Sequence, residues 1–141
     1  MRSTVFGGLL TVLAMAALPL NAHHNGSAKY DPDKPITFTG KVTKVEWMNP
    51  HIYYYVDVTA SGGKVTNYAI EGGTPGGLYR AGVKKDSLKI GDTITVSGFL
   101  ARKEGLNHVN GRNVTFADGR KVFVGSRDGL PDNPAETRPA R

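Results

Sequence analysis

Cysteine is absent from the 141-residue chain. That absence excludes a disulfide framework, a Cys-ligated zinc site, thiol nucleophiles and a lipid-bearing Cys anchor. No second long hydrophobic run follows the one between Val5 and Leu20, and a membrane-crossing helix needs ~20 apolar residues. Neither G-x-S-x-G nor H-E-x-x-H occurs. Gly72-Gly73 and Gly76-Gly77 surround a helix start, where backbone N–H groups can hold an anion, but their spacing fits no phosphate loop. Glu46, Asp57, Glu71 and Asp92 are available to pair with His51, yet nothing in the spacing singles out an acid–base couple. The expectation is a protein that is not an enzyme.

What is present begins with an export signal. Met1-Arg2 supplies a positive start, Val5 to Leu20 an apolar stretch interrupted by Pro19, and Leu20-Asn21-Ala22 a small residue for cleavage. Residues 1–22 therefore read as a signal peptide, and the mature chain is expected to be periplasmic or secreted, without a membrane span. The formal charge is +6; the leader contains one charged residue, Arg2, so its removal leaves +5. A basic balance favours anionic partners, or simply solubility, since acids are interspersed with Lys and Arg. Lys84-Lys85, Lys89, Arg102-Lys103, Arg112 and Arg120-Lys121 flank turns, where charge is usually solvated surface.

Residues 23–35 are polar and turn-rich and read as an irregular N-terminal arm. A long first strand is expected from Ile36 to Met48. Ile36, Phe38, Gly40 and Val42 alternate, then Val45 and Trp47 continue on the opposite phase, the mark of a β-bulge. Strand two covers His51 to Thr59, with Ile52, Tyr54, Val56 and Val58 on one face and His51, Tyr53, Tyr55 and Asp57 on the other. Ser61-Gly62-Gly63 turns the chain into strand three, Lys64 to Glu71. Thr74-Pro75 starts a two-turn helix that Gly82 stops. Strand four runs from Asp92 to Leu100, a polar loop covers Ala101 to Arg112, and strands Asn113–Ala117 and Lys121–Gly125 follow. Residues 126–141 lack a periodic apolar set, which predicts a disordered tail. The domain boundaries are thus 36–125.

The fold class is all-β, and the order β-β-β-α-β-β resembles the oligonucleotide/oligosaccharide-binding (OB) barrel. The expectation is a small OB-like barrel of five to six strands with one short helix between strands three and four; the alternative is a six-stranded sandwich. Leu88-Lys89-Ile90-Gly91-Asp92-Thr93-Ile94-Thr95-Val96-Ser97-Gly98 looks like the run that opens strand four in many such barrels.

Several segments together resemble a family of small secreted bacterial proteins of unknown function. They are His23-His24, Asp31-Pro32, Thr39-Gly40-Lys41-Val42, Glu46-Trp47-Met48-Asn49-Pro50-His51, Ala69-Ile70-Glu71-Gly72-Gly73 and Leu88-Lys89-Ile90-Gly91-Asp92. Asn25-Gly26 and Val83 depart from that pattern, which has a hydrophobic residue after the His pair and an aromatic near the helix end. The resemblance implies secretion and a β-fold, and no activity.

Two candidate sites follow from the residues. Cleavage after Ala22 makes His23 the mature N-terminus, beside His24, so an α-amine and imidazoles are available to chelate a metal. Nitrogen donors of this kind suit Cu(II) and, less strongly, Zn(II) or Ni(II). Cleavage after Asn21 instead makes His24 the third residue, also a Cu(II)-chelating arrangement. His51 and His108 complete the candidate metal set, copper is the expected cofactor, and Met48 is a soft donor for Cu(I). The competing reading is adventitious copper on a terminal His pair, with His51 capping a turn. The second candidate site is an aromatic face, Tyr53 and Tyr55 with Trp47, placed to stack a ligand. Its competing reading is the ordinary preference of Tyr for half-buried strands. An envelope glycan, an anionic ligand or a protein is the partner this face would suit, and nucleic acid fits an exported protein poorly.

Overall fold

A computed structural model describes residues 26–126 and 130–132. The expected leader and both His23 and His24 lie outside the described residues. A single helical turn, α1 (Gly26–Lys29), leads into the 17-residue strand β1 (Tyr30–Glu46). The phase change between Val42 and Val45 falls where the ladder slips: Val42 faces Val56 but Lys44 faces Tyr55, leaving Thr43 as the extra residue of a bulge. A Cβ at Gly40 would run into the Asp57 carbonyl oxygen and the Val56 side chain, so β1 bends over β2 at a residue without one.

β2 (Tyr53–Thr59) and β3 (Val65–Glu71) form a hairpin whose register runs from Thr59↔Val65 to Tyr53↔Glu71. Then comes α2 (Pro75–Arg80). Thr74 Oγ1 accepts the Gly77 N–H at 3.1 Å, Pro75 fills the first turn, and Leu78 is buried. β4 (Thr93–Ala101), β5 (His108–Phe116) and β6 (Lys121–Phe123) complete the chain order. β1 pairs with both β2 and β4, β4 with β5, and β5 closes the ring by a parallel pairing with β3 through Ala69↔His108, Ile70↔Val109 and Glu71↔Asn110. The result is a five-stranded, barrel-like ring with β6 added to the second half of β5. All-β architecture, barrel character and a short helix between strands three and four match the expectation, and the sandwich alternative does not hold.

Val42, Tyr54, Val56, Ile70, Ile94, Val96, Val109 and Val114 fill the ring, each no more than 1% exposed. A second, smaller cluster of Tyr30, Phe99, Ala101 and Leu130 lies apart from it. Among the described residues no helix is long and apolar enough to cross a membrane.

Four features differ from the sequence reading. β1 begins at Tyr30 rather than Ile36, so half of the expected irregular arm is strand. Residues 31–34 sit in a register shift between Tyr30↔Ala101 and Pro35↔Phe99, where Pro32 disturbs no regular ladder. β5 begins at His108 rather than Asn113 because Asn110 and Arg112, on the face opposite Val109, are buried polar residues that disguise the alternation. Arg112, expected on a solvated rim, is fully buried. Finally, Leu130, within the stretch whose composition predicts disorder, is buried.

Candidate functional site

The β2–β3 register sets Tyr53 directly opposite Glu71, and because Tyr54 and Ile70 fill the core, both residues project from the outer face. Glu71 Oε2 accepts the Tyr53 hydroxyl at 2.7 Å and the Tyr30 hydroxyl at 2.8 Å, and Lys29 Nζ pairs with the same oxygen at 2.5 Å. Lys29 Nζ also lies 5.8 Å from the centre of the Tyr53 ring. Burial is the largest influence on the Glu71 carboxyl and raises its pKa. Hydrogen bonds from Lys29, Tyr53 and Tyr30 together outweigh it, so the group sits below the usual carboxylate range. Burial, then the hydrogen bond to Glu71, push the Tyr53 phenol up.

His51 stands just before β2. Its neighbour Ile52 exchanges backbone hydrogen bonds with Gly72 and Gly73, which fixes the imidazole beside the end of β3. His51 Nδ1 is 3.0 Å from the Gly72 carbonyl oxygen and 3.8 Å from Glu71 Oε1. A carbonyl oxygen only accepts, so Nδ1 carries the hydrogen and, in the neutral ring, Nε2 keeps its lone pair. This is the arrangement that orients an imidazole for metal ligation: one ring N–H held by a carbonyl or carboxylate, the other nitrogen available.

Tyr53 and His51, expected in two different sites, thus belong to one cluster. Lys29 and Tyr30 were not singled out from the sequence. A usable signal existed for Glu71: counting outward from the Ser61-Gly62-Gly63 turn sets Tyr53 against Glu71. Nothing comparable announced Lys29 and Tyr30, whose bonds to Glu71 span 42 and 41 residues.

The other predicted residues disperse. Tyr55 forms a separate group, donating to Glu46 Oε2 at 2.9 Å beneath Lys44, whose Nζ pairs with Glu46 Oε1 at 2.5 Å. Trp47 does not join Tyr53 and Tyr55. It packs against the core and lines a cavity of about 40 Å³ with Val45, Tyr54 and Phe116, too small for a sugar ring. His108 lies at the start of β5, paired with Ala69. Among the described residues no three His, Asp or Glu side chains gather to hold a metal, so His51 and His108 do not form a site by themselves.

Residues 10–110 match a family described as a family of unknown function, DUF6152. The chain belongs to this family. No curated protein and no solved structure matches it. In this DUF6152 member the matched stretch includes Lys29, Tyr30, His51, Tyr53 and Glu71, while Arg112 and Leu130 lie beyond it.

Proposed function

We propose that this protein is an exported, non-enzymatic β-barrel binding module whose ligand is a copper ion, held by His23 and His24 together with His51. The observation that carries the reading is His51 itself, with Nδ1–H committed to the Gly72 carbonyl and Nε2 left as a donor. Two further points support it. Lys29, at the end of α1, is tied to Glu71 beside His51. His24 lies two residues before α1, which at ~1.5 Å per helical residue and ~3.5 Å per extended one keeps it within about 12 Å of the Lys29 backbone. After cleavage at Ala22 the amino terminus and two imidazoles would sit on that short tether, and with His51 they make a nitrogen-rich set suited to Cu(II).

The test is intact mass spectrometry and copper titration of the mature chain, competed with a weak chelator. One retained copper ion is expected, lost in His23→Ala/His24→Ala and weakened about tenfold or more in His51→Ala. Unchanged affinity in the double variant sinks the reading.

A second reading is a metal-free module that takes a glycan, an anionic ligand or a protein on the Tyr53/Tyr55 face. What favours it is that the side chain over the Tyr55 ring is Lys44, itself exposed, with its ammonium on Glu46. Loss of a glycan or protein partner in Tyr55→Ala, with copper indifferent, would turn the function to this face.

A further inference from the structure

The loop between β4 and β5 borders a cleft of about 270 Å³. Both ends of the loop are fixed. The Arg102 N–H donates to the Lys29 carbonyl at 3.0 Å, and the Asn107 carbonyl accepts the Ala69 N–H at 2.9 Å. Gly105 turns the chain between them at φ 76°, where a side chain would be strained. Tyr68, Leu100 and Leu106 give the cleft an apolar wall, and Lys34, Lys103 and Glu104 a charged one. Phe38 stacks on Tyr68 with ring centres 4.5 Å apart and is not part of the wall, so it backs the Tyr68 ring and leaves the rest of that ring to the cleft.

The polar groups here are not committed to one another. Lys29 is paired with Glu71, and Lys44 with Glu46. Among the described residues, by contrast, Lys34, Lys103 and Glu104 take part in no ion pair, and the Tyr68 hydroxyl and the Asn107 side chain in no hydrogen bond. The volume, close to the ~300 Å³ at which ligand pockets begin, admits one sugar ring, as the slot of about 40 Å³ beside Trp47 does not. Charge selects within that size: two lysines against one glutamate favour an anion. Glu104 then selects against an anion that can only accept, which would bring its carboxylate a like charge and no donor, whereas a sugar hydroxyl donates to it. The Tyr68 ring suits the C–H face of a pyranose. We infer that this cleft binds a carboxylate-bearing sugar, with its ring on Tyr68, its carboxylate on Lys34 and Lys103 and a hydroxyl on Glu104. None of Lys29, Tyr30, His51, Tyr53 and Glu71 lines the cleft, so the site stands apart from the copper reading. It also places a glycan away from the Tyr53/Tyr55 face.

The experiment titrates the mature chain, without added metal and near neutral pH, with sodium glucuronate, and follows backbone amides by NMR. Glucose and benzoate serve as controls. Expected are saturable shifts at Tyr68 and across residues 103–107, with weaker binding of both controls. Affinity for glucuronate should fall about fivefold in Lys34→Gln/Lys103→Gln and about tenfold in Tyr68→Ala. Both lysines are exposed, so the double variant keeps the fold and decides the matter even where Tyr68→Ala does not fold. A titration without saturable shifts, shifts confined to Tyr53 and Tyr55, or wild-type affinity in the lysine variant overturns the assignment. Benzoate binding as tightly as glucuronate at the same residues overturns the sugar, and glucose doing so overturns the anion.

Discussion

The outer face of β2 carries two groups built from the same three residue types. In one, Lys44, Tyr55 and Glu46 meet across neighbouring positions of β1 and β2. In the other, Lys29, Tyr53 and Glu71 meet across separations of 18 and 42 residues, and Tyr30 and His51 join them. Both carboxyls are held below their usual range, but by different balances. For Glu46 the main causes are the hydrogen bonds from Lys44 and Tyr55. For Glu71 burial opposes ionisation, and the three donors must overcome it. An exposed triad can come apart into water at little cost, whereas a half-buried one leaves donors stranded. The second group is therefore the one that fixes side chains in place, and fixed side chains are what a binding site needs.

The largest effect should come from Glu71→Ala. It removes the Glu71 carboxylate that accepts from the Tyr30 and Tyr53 hydroxyls and should cost about 2–3 kcal/mol in urea unfolding. Glu46→Ala, in the exposed triad, should leave the midpoint where it is. A comparable loss in both would erase the distinction between the groups.

Acid titration sharpens it. The folded Glu71 carboxyl has a depressed pKa, so as pH falls below about 5 the unfolded chain takes up its proton first. The stability from this group is complete above that range and is lost as pH falls through the folded pKa. Glu71→Gln should flatten the acid limb of stability against pH, and Glu46→Gln should flatten it less.

A smaller effect is expected from single oxygens. Tyr53→Phe should cost about 1 kcal/mol, while Tyr55→Phe should fall within the error of the same unfolding measurement. The smallest is the response to salt: in about 0.5 M sodium chloride the Lys44–Glu46 contribution should be screened away, and the Tyr53→Phe difference should persist.

What could be read in advance depended on how local the cause was. The Thr74-Pro75 start of α2 and the bulge at Thr43 were legible because neighbours in sequence produce them. The barrel-like ring was legible through strand order. The start of β5 was hidden because Asn110 and Arg112 occupy buried positions where apolar residues are the rule. The start of β1 was hidden by prolines in a bulge. Of the site, His51 and Tyr53 could be named individually. Their union could not, because it depends on Glu71, which gathers its partners from α1, β1 and β2. Leu130 was the least legible, since the buried Arg112 donates to its carbonyl at 2.7 Å, a partnership that no side-chain pattern encodes.

The dual pairing of β5 has a consequence for how this chain behaves in company. Its first half joins β3 over three residue pairs and its second half holds the three-residue β6. Among the described residues the sheet thus pairs most of its backbone with itself and offers neighbouring molecules short lengths of strand edge, one of them opening on the charged Lys121. Templated strand addition between copies needs a longer, flatter invitation. A chain without disulfides gains, through that closure, a folded state with little strand edge on which a second copy could template.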